Sequence, residues 1–374
     1  MKMKKSFSDV GAQHAVPLPR LGTAPAWQAH VLPWRSRTYA IIGLCIALIV
    51  VAVLATAIGS VPIPLSATFR IIVSRLPFLH VAQSWPRGAD IIVLDIRLPR
   101  VIMAGLVGAA LGTAGATYQG LFRNPLADPY LIGVAQGASL GAIVGFLLPF
   151  TGAVLGVGII PLCGFAGAII ATTIVYLLAR QGKTLPVTTL ILAGVALGSL
   201  LSSIVSYLII SSGDKMHSIV FWLMGSFSLS QWSDVRMISP YIVTGTVVIL
   251  LCARPLNVMQ LDEEQAQQLG INVERLKLVL LAAATLITAA AVSFVGTIGF
   301  VGIIIPHAVR LIWGADHRFL LPLSVLSGAI FMVLADLIAR TVLSPTEIPV
   351  GVVTALFGAP FFLYLLRRRR RVIF

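Results

Sequence analysis

The sequence predicts an all-α polytopic membrane protein with about ten transmembrane helices. Ten separate stretches of roughly 17 to 26 mostly apolar residues run along the chain, and a helix of about 20 apolar residues is long enough to cross a bilayer. Hydrophobic residues make up 58% of the 374 positions, and charged residues only 11%. Because a water-soluble fold of this size would lack polar surface, a soluble enzyme is excluded.

The apolar stretches are joined by connections that carry most of the charge. Inside a bilayer only helices and closed barrels satisfy every backbone group, and runs of this length are typical of helices. A polar, basic tail of residues 1–38 precedes the membrane domain of residues 39–367, and the basic residues 368–374 follow it. The predicted spans are residues 39–59, 97–118, 128–149, 156–179, 185–210, 237–254, 276–296, 298–314, 319–341 and 349–367.

Lys and Arg residues are divided unequally between the two sides of the predicted membrane domain. With both termini on one side, 19 of the 27 lie on that side and eight on the other. Since cytoplasmic connections carry the excess of Lys and Arg, both termini are expected in the cytoplasm. The net charge of +14 and the run Arg367 to Arg371 are interpreted as a topology signal beside anionic membrane lipid, and no nucleic acid partner is expected.

Two connections have a composition of their own. Residues 65–79, on the outer side, mix apolar and basic residues as a helix lying along the membrane interface does. The inner connection 255–276 holds four of the thirteen acidic residues. Its segment Leu261 to Ile271 is typical of a short amphipathic helix, with acids at the start, leucines on one side and a glycine at the end. This element is either a solvated helix without a partner or a docking element for a soluble subunit.

Motifs for nucleotide and metal chemistry are incomplete or missing. Gly182-Lys183-Thr184 resembles the end of a phosphate-binding loop, but Leu177 occupies the position of its first glycine. The sequence contains no H-E-x-x-H motif and no Cys/His cluster, and the three cysteines lie in apolar stretches. We therefore expect no metal, no cofactor and no enzymatic site in this chain.

Ion coupling has little support from the sequence. A carrier driven by protons or sodium needs titratable or coordinating groups near the centre of the bilayer, and Asp336 comes closest. It lies four residues before Arg340, so the two side chains can pair on one helix face. Energy for transport must then come from a partner, or the solute moves downhill.

A weak internal sequence similarity is consistent with an inverted repeat of two five-helix halves. The fifth span begins at Pro186-Val187 and the tenth at Pro349-Val350, and each pair leads into a helix that contains glycine. Many transporters are built from such halves in opposite orientation. Coincidence explains so short a match equally well.

Three long segments resemble one family of membrane proteins. Residues 96–142 (IRLPRVIMAGLVGAALGTAGATYQGLFRNPLADPYLIGVAQGASLGA), 299–329 (GFVGIIIPHAVRLIWGADHRFLLPLSVLSGA) and 347–366 (EIPVGVVTALFGAPFFLYLL) are similar to the permeases of type II ATP-binding-cassette importers for iron-siderophores, haem and vitamin B12. The similarity runs from about residue 39 to the end, with the motifs in the expected order. Thr297 stands where many relatives have proline, and the tail before Thr38 is longer than most.

The resemblance implies a homodimer of ten-helix permeases, two cytoplasmic ATPase subunits that bind ATP and Mg, and an extracytoplasmic binding protein. Arginines at three positions of the family dock the binding protein; their alternative role is as interfacial anchors. The resemblance implies that the docking positions here are Arg97, Arg100 and Arg340. The region that contacts the ATPase corresponds to Leu261, Asp262, Glu263, Glu264, Leu269, Gly270 and Ile271. The translocation pathway corresponds to the fifth and tenth helices, with Thr188, Thr189, Gly194, Ser199, Val353 and Thr354 as candidates.

The function expected from the resemblance is ATP-driven import of a bulky metal chelate across the cytoplasmic membrane of a prokaryote. Ferric siderophore is the first candidate, followed by haem and cobalamin. The alternatives are an ion-coupled secondary transporter and a membrane-embedded enzyme or sensor. Transport that survives an inactive ATPase but collapses with the ion gradient would favour the carrier.

The charge distribution predicts that both termini lie in the cytoplasm. Single cysteines placed in the C-terminal Arg367 to Arg371 run should resist a membrane-impermeant maleimide in intact cells, because this run belongs to the basic side. A single cysteine at Asp214, in a predicted outer connection, is the matched positive control. Strong labelling of the C-terminal run in intact cells would contradict the orientation.

Overall fold

The chain forms a helical bundle in which long helices are joined by short turns. It is described by a computed structural model over residues 34–59, 61–75, 85–149, 152–154 and 157–373. The helices are α1 Trp34–Ala57, α2 Leu65–Val73, α3 Ala89–Ile91, α4 Leu98–Leu121, α5 Val134–Leu147, α6 Ile159–Ala179, α7 Val187–Ser211, α8 Met216–Leu223, α9 Trp232–Leu251, α10 Ala253–Val258, α11 Glu263–Gln268, α12 Val273–Val295, α13 Val301–Trp313, α14 His317–Thr341 and α15 Val350–Ile373.

Short segments of other structure lie between these helices. A π-helical segment, Ile92–Arg97, joins α3 to α4, and 3-10 turns occupy Pro129–Ile132 and Gly213–Lys215. The two-residue strands β1 (Ala153–Val154) and β2 (Val157–Gly158) pair antiparallel before α6. The prediction of an all-α fold is confirmed apart from this minimal hairpin.

Each of the ten predicted spans overlaps one of the helices α1, α4, α5, α6, α7, α9, α12, α13, α14 and α15. Within the described ranges, six helices are long and apolar enough to cross a membrane, namely α1, α6, α7, α9, α12 and α14. Shorter apolar helices occupy Val134–Leu147, Val301–Trp313 and Val350–Tyr364, and α4 is 24 residues long. That all ten cross the membrane therefore stays a prediction.

Several predicted boundaries differ from the structure. The span predicted at 128–149 begins as a separate 3-10 turn, because the Asp128 carboxylate accepts a hydrogen bond from the Tyr130 N–H (2.7 Å) and Gly133 follows with a φ of +81°. Helix α1 begins at Trp34, inside the predicted tail, and residues 1–33 of that tail lie outside the described residues. The connection predicted at 255–276 contains most of α10 and the first turn of α12, since their apolar residues pack inward.

The predicted interfacial segment 65–79 is helical in its first part. Helix α2 packs Ile71 against Val93 and Leu94, which lie in the π-helical segment. Trp232, the first residue of α9, donates its indole N–H to the Leu94 carbonyl (2.8 Å). The outer connection is thereby attached to both α4 and α9. Residues 76–79 of the predicted segment lie outside the described residues.

Glycines bring the central helices into contact at the backbone. On α4, Gly108 and Gly112 face Gly328 and Ser324 of α14, and Gly115 faces Gly302 of α13. A Cβ atom at Gly115 would overlap the carbonyl oxygen of Gly302. Small residues at four-residue spacing permit such close packing where lipid offers no hydrophobic driving force between helices. Helix α4 is consequently buried along most of its length.

Because α4 and α13 cross closely at Gly115, adding one methyl group at this position is expected to destabilise the fold. Gly115→Ala should lower the free energy of unfolding by about 1–3 kcal/mol, because α4 and α13 must separate to accept the added atom. Gly43→Ala on α1 is the control, since nothing lies within 4 Å of a Cβ atom there. Thermal unfolding of the purified permease in detergent measures both, and equal stability of the two variants would contradict this packing.

Candidate functional site

Charged residues gather at the two ends of the bundle. At the end predicted to lie outside, ion pairs join Arg100 and Arg340 to Asp336 and Arg100 to Glu347, and Arg97 lies beside Arg340; these five residues are here called the outer ion cluster. At the opposite end, the α10–α12 connection carries the acidic segment Leu261 to Ile271, here called the coupling segment. The three predicted docking arginines thus lie together at one end, and the predicted ATPase-contact residues lie together at the other. The arginines are buried, whereas the two leucines of the coupling segment are exposed.

Arg97 closes the end of α1. Its Nη1 donates to the carbonyl oxygens of Ala57 (2.6 Å) and Thr56 (3.2 Å), and Nη2 donates to that of Val61 (2.5 Å). The last carbonyls of a helix have no partner within the helix, so the guanidinium supplies it. Gly59 makes room for this, because a Cβ atom there would lie 2.6 Å from Nη2.

Arg100 holds two carboxylates at once. Its Nη2 and Nε donate to Asp336 (2.8 and 3.0 Å), and its Nη1 and Nη2 donate to the two oxygens of Glu347 (2.8 and 3.0 Å). Arg340 lies one turn after Asp336, with Nε 3.5 Å from Oδ2, and also donates to the Ala55 carbonyl. The predicted pair of Asp336 and Arg340 is thus confirmed, and Arg100 is a second and closer partner of the same carboxylate.

Glu347 connects the outer ion cluster to the start of α15 and to the turn after α8. It precedes α15 and also accepts a hydrogen bond from the Ser228 hydroxyl, in the turn after α8. Burial raises the pKa of Glu347, but the hydrogen bonds from Arg100 and Ser228 outweigh burial and hold that pKa below its usual range. Sequence reasoning did not single out Glu347, although it is the acid that opens the motif EIPVG.

The three arginines predicted to dock a binding protein lie together, but they are buried. Arg97, Arg100 and Arg340 are 5%, 8% and 7% exposed, and each donates to groups of its own chain. Reversing all three charges to Glu would place new carboxylates against Asp336 and Glu347, so such a change is expected to destabilise the fold as well as any docking. Docking itself stays a prediction.

The coupling segment has the predicted helix at its centre. Asp262 precedes α11, and Gly270, at a φ of +83°, ends it, with the Ile271 N–H donating to the Ala266 carbonyl (3.1 Å). A left-handed glycine one or two residues past the last turn is a common helix stop. The bounds Glu263–Gln268 lie within the predicted segment.

The two leucines that flank α11 are exposed, while the helix itself packs inward at Ala266. Leu261 and Leu269 are 49% and 65% exposed, whereas Ala266 is fully buried against the bundle. The segment is anchored beside α4, because the Gln260 side-chain amide donates to the Gly120 carbonyl (2.9 Å) and Arg123 lies 3.4 Å from Asp262. Two exposed leucines on a fixed element are suited to contact with another protein.

A second ion group ties three helix ends together on the same side. Asp316, directly before α14, accepts hydrogen bonds from Arg318 (2.8 Å) and Asn257 of α10 (2.6 Å), and Arg37 of α1 lies 3.8 Å away. Burial raises the pKa of Asp316, but the hydrogen bonds from Arg318 and Asn257 prevail and lower it to about 2. Sequence reasoning missed this group, since its members are far apart in the chain.

The predicted pathway residues face in different directions. On α7, Thr188 and Ser199 are exposed and Thr189 is half-buried. Gly194 is buried where α7 crosses the backbone of the 3-10 turn at Leu131. Val353 and Thr354 on α15 are buried within the chain. Their residue types alone did not reveal these orientations.

Beside α15 lies an open recess of about 590 Å³. Its walls come from the end of α8, the connection between α12 and α13, and one side of α15. Thr297 donates its hydroxyl to the Leu223 carbonyl, so the wall there remains apolar. The lining includes Leu223, Met224, Thr297, Phe300, Val352 and Leu356. Across the described part of the chain, no three His, Cys, Asp or Glu side chains are grouped to hold a metal ion.

Removing one negative charge from the outer ion cluster is expected to destabilise the fold strongly. Asp336→Asn should lower the free energy of unfolding by about 3–5 kcal/mol, because two buried guanidinium groups lose their shared carboxylate. Asp214→Asn, at an exposed position of an outer turn, should have little effect. Thermal unfolding of both variants decides this, and an unchanged melting temperature for Asp336→Asn would show that the cluster contributes little.

Most of the chain is similar in sequence to known membrane transport proteins. The profile of the FecCD transport family matches residues 47–368. The chain is 47% identical over 284 residues to the cobalamin import system permease protein BtuC of Halobacterium salinarum, covering 76% of this chain and 75% of that protein. It is 40% identical over 278 residues to the hemin transport system permease protein HmuU of Yersinia pestis, covering 74% and 83%.

The fold agrees with that of a solved relative. A structure described as an inward-facing conformation of a metal-chelate type ABC transporter matches with a TM-score of 0.76 at 32% identity, covering 88% of this chain and 99% of that one. The predicted resemblance is confirmed, and the protein is a multi-pass protein of the cytoplasmic membrane of a prokaryote. The chain therefore belongs to the FecCD transport family of ABC transporter permeases.

Proposed function

We propose that this chain is the permease subunit of an importer that uses ATP to move a bulky metal chelate into the cytoplasm by alternating access. The observation that carries the proposal is the coupling segment, an anchored element in which the exposed Leu261 and Leu269 flank a short helix. Both termini are cytoplasmic in this proposal, and an extracytoplasmic binding protein delivers the chelate.

ATP is hydrolysed by a separate subunit in this proposal. The sequence has no complete phosphate-binding loop, so the chain needs a nucleotide-binding partner. The ATPase would contact the exposed leucines of the coupling segment, while Asp262 and Gln260 hold that segment against the end of α4. Two copies of the permease would bind two ATPase subunits, with ATP and Mg held by the ATPases.

Helices α7 and α15 favour assembly with a second copy. Large apolar side chains are exposed along both, including Leu192, Leu200 and Tyr207 on α7 and Leu356 and Phe357 on α15. The recess at α15 opens on the same helix. We propose that two copies enclose the pathway between these helices, which would shield the recess from lipid.

The cargo is proposed from chemistry and from relatives. An apolar wall suits a large chelate, because it holds few groups that would retain the cargo. The names of two relatives refer to cobalamin and hemin. Ferric siderophore, haem and cobalamin are the candidates, and binding of each to the purified binding protein would separate them.

The alternative of an ion-coupled carrier has less support. Asp336, the acid nearest the middle of a span, is held by Arg100 and Arg340 and is 1% exposed. A coupling site must bind and release its ion during each cycle, and a carboxylate shared by two arginines is poorly suited to this.

Docking of the binding protein on the outer ion cluster remains part of the proposal. Glu347 is the most exposed carboxylate of the cluster, with 32% of its side chain accessible, whereas Asp336 is enclosed. An incoming carboxylate could therefore reach Arg100 on the Glu347 side. Planar guanidinium groups bind such carboxylates through paired hydrogen bonds.

The coupling segment predicts that a charge at Leu269 weakens ATPase binding. Leu269→Asp should reduce affinity by about tenfold or more, since loss of a central apolar contact at an interface costs about 2 kcal/mol or more, and 1.4 kcal/mol is tenfold. Leu269→Met, which keeps the apolar side chain, should bind normally. Pull-down of the ATPase with the purified permease measures this. Normal binding by Leu269→Asp would remove the basis of the proposal.

A further inference from the structure

Lys277 is a buried cation at the inner end of α12. Its side chain is 4% exposed, although it lies in the second turn of the helix, close to the predicted membrane surface. Moving an ammonium group out of water is costly unless opposite charges and hydrogen-bond acceptors surround it. The neighbours of Lys277 therefore indicate what the residue does.

All three N–H donors of Lys277 have acceptors on different segments. Its Nζ donates to Glu263 Oε2 (2.8 Å), to Glu274 Oε1 (3.1 Å) and to the Leu185 carbonyl oxygen (3.3 Å). A lysine ammonium has three donors, so its hydrogen-bonding capacity is filled. Glu263 belongs to α11, Glu274 to the first turn of α12, and Leu185 to the segment before α7.

The backbone of Leu185 is held on both sides. Its N–H donates to the second oxygen of Glu274, Oε2 (2.9 Å), while its carbonyl accepts from Lys277. Pro186 follows, and α7 begins at Val187. Because proline fixes its own φ and restricts the residue before it, Leu185 and the first turn of α7 are rigidly joined. A displacement of Leu185 is consequently passed into α7.

The contact with α11 is the more exposed part of this arrangement. The Glu263 side chain is 42% exposed and that of Lys277 only 4%, so Glu263 extends from the coupling segment into the buried group. The other ion pair of the segment, Asp262 with Arg123, leads instead to the end of α4. Helix α4 is packed at backbone distance against α13 and α14, whereas α7 is largely exposed.

We propose that Lys277 is a positioning residue that passes movement of the coupling segment to α7. The inference rests on the proposed function, because it takes α11 as the element that an ATPase moves. Lys277 joins α11 to the backbone before α7, and its charge is neutralised by carboxylates from both α11 and α12. A merely structural lysine would stabilise the fold without making α7 respond to the ATPase.

The test compares the movement of α7 with and without this lysine. Cys45, Cys163 and Cys252 are replaced by Ser, and Thr188→Cys, at an exposed position in the first turn of α7, reports accessibility to a maleimide. The full permease is reconstituted with its ATPase, and the labelling rate is measured with and without ATP and vanadate. With Lys277 present, the nucleotide should change this rate about fivefold or more, the lower limit of typical coupling between sites.

Lys277→Met should abolish this change while the ATPase still binds and hydrolyses ATP, because residue 277 is buried and cannot touch the partner. Lys277→Arg, which keeps the charge and the donors, should restore it. Arg275→Met is the matched control, since it removes an exposed cation from the same helix turn and should leave the nucleotide effect intact. Should Lys277→Met fail to fold, Glu274→Gln, which weakens the hold on Leu185 but keeps the pair of Lys277 and Glu263, should reduce the effect.

Two results would overturn the inference. A normal nucleotide effect in Lys277→Met, or no effect at Thr188→Cys although the ATPase binds, would show that Lys277 does not link the two elements. Failure of the unaltered permease to bind an ATPase would instead overturn the proposed function, and the inference with it.

Discussion

The bidentate binding of two carboxylates by Arg100 organises one end of this protein. Through Asp336 it joins α4 to α14, and through Glu347 it reaches the segment before α15 and the turn after α8. Arg97 and Arg340 extend the same group to the end of α1. In a low-dielectric setting each of these charges would be costly alone, and together they fix the ends of several helices.

The opposite end is organised by two smaller ion groups with different connections. Asp316 joins α1, α10 and α14, all of which pack against the central α4 or one another. Lys277 joins α11 and α12 to the segment before α7. One group therefore reinforces the tightly packed part of the bundle, and the other reaches a helix with a largely exposed surface.

Much of this arrangement could be predicted from the sequence, because membrane helices are specified by length and apolarity. The ten apolar stretches, the helix in the coupling segment with Gly270 at its end, and the pair of Asp336 and Arg340 depend on local spacing. The family motifs placed the three arginines together. Their burial was not predictable, since Glu347 and the carbonyls at the end of α1 approach them from distant parts of the chain. Likewise, Gly194 and Val353 have suitable residue types for a pathway, but their orientation depends on packing that a single sequence does not encode locally.

The glycines of this fold differ in whether a second substitution can compensate for their replacement. At Gly59 a side chain would meet the guanidinium of Arg97, so a shorter residue at position 97 could compensate, and the two positions can change together. At Gly115 a side chain would meet the backbone of Gly302, which is already the smallest residue. No substitution at position 302 can make room there. At the crossing of α4 and α13, a second substitution therefore cannot compensate for a larger residue. Only movement of a whole helix could accommodate it.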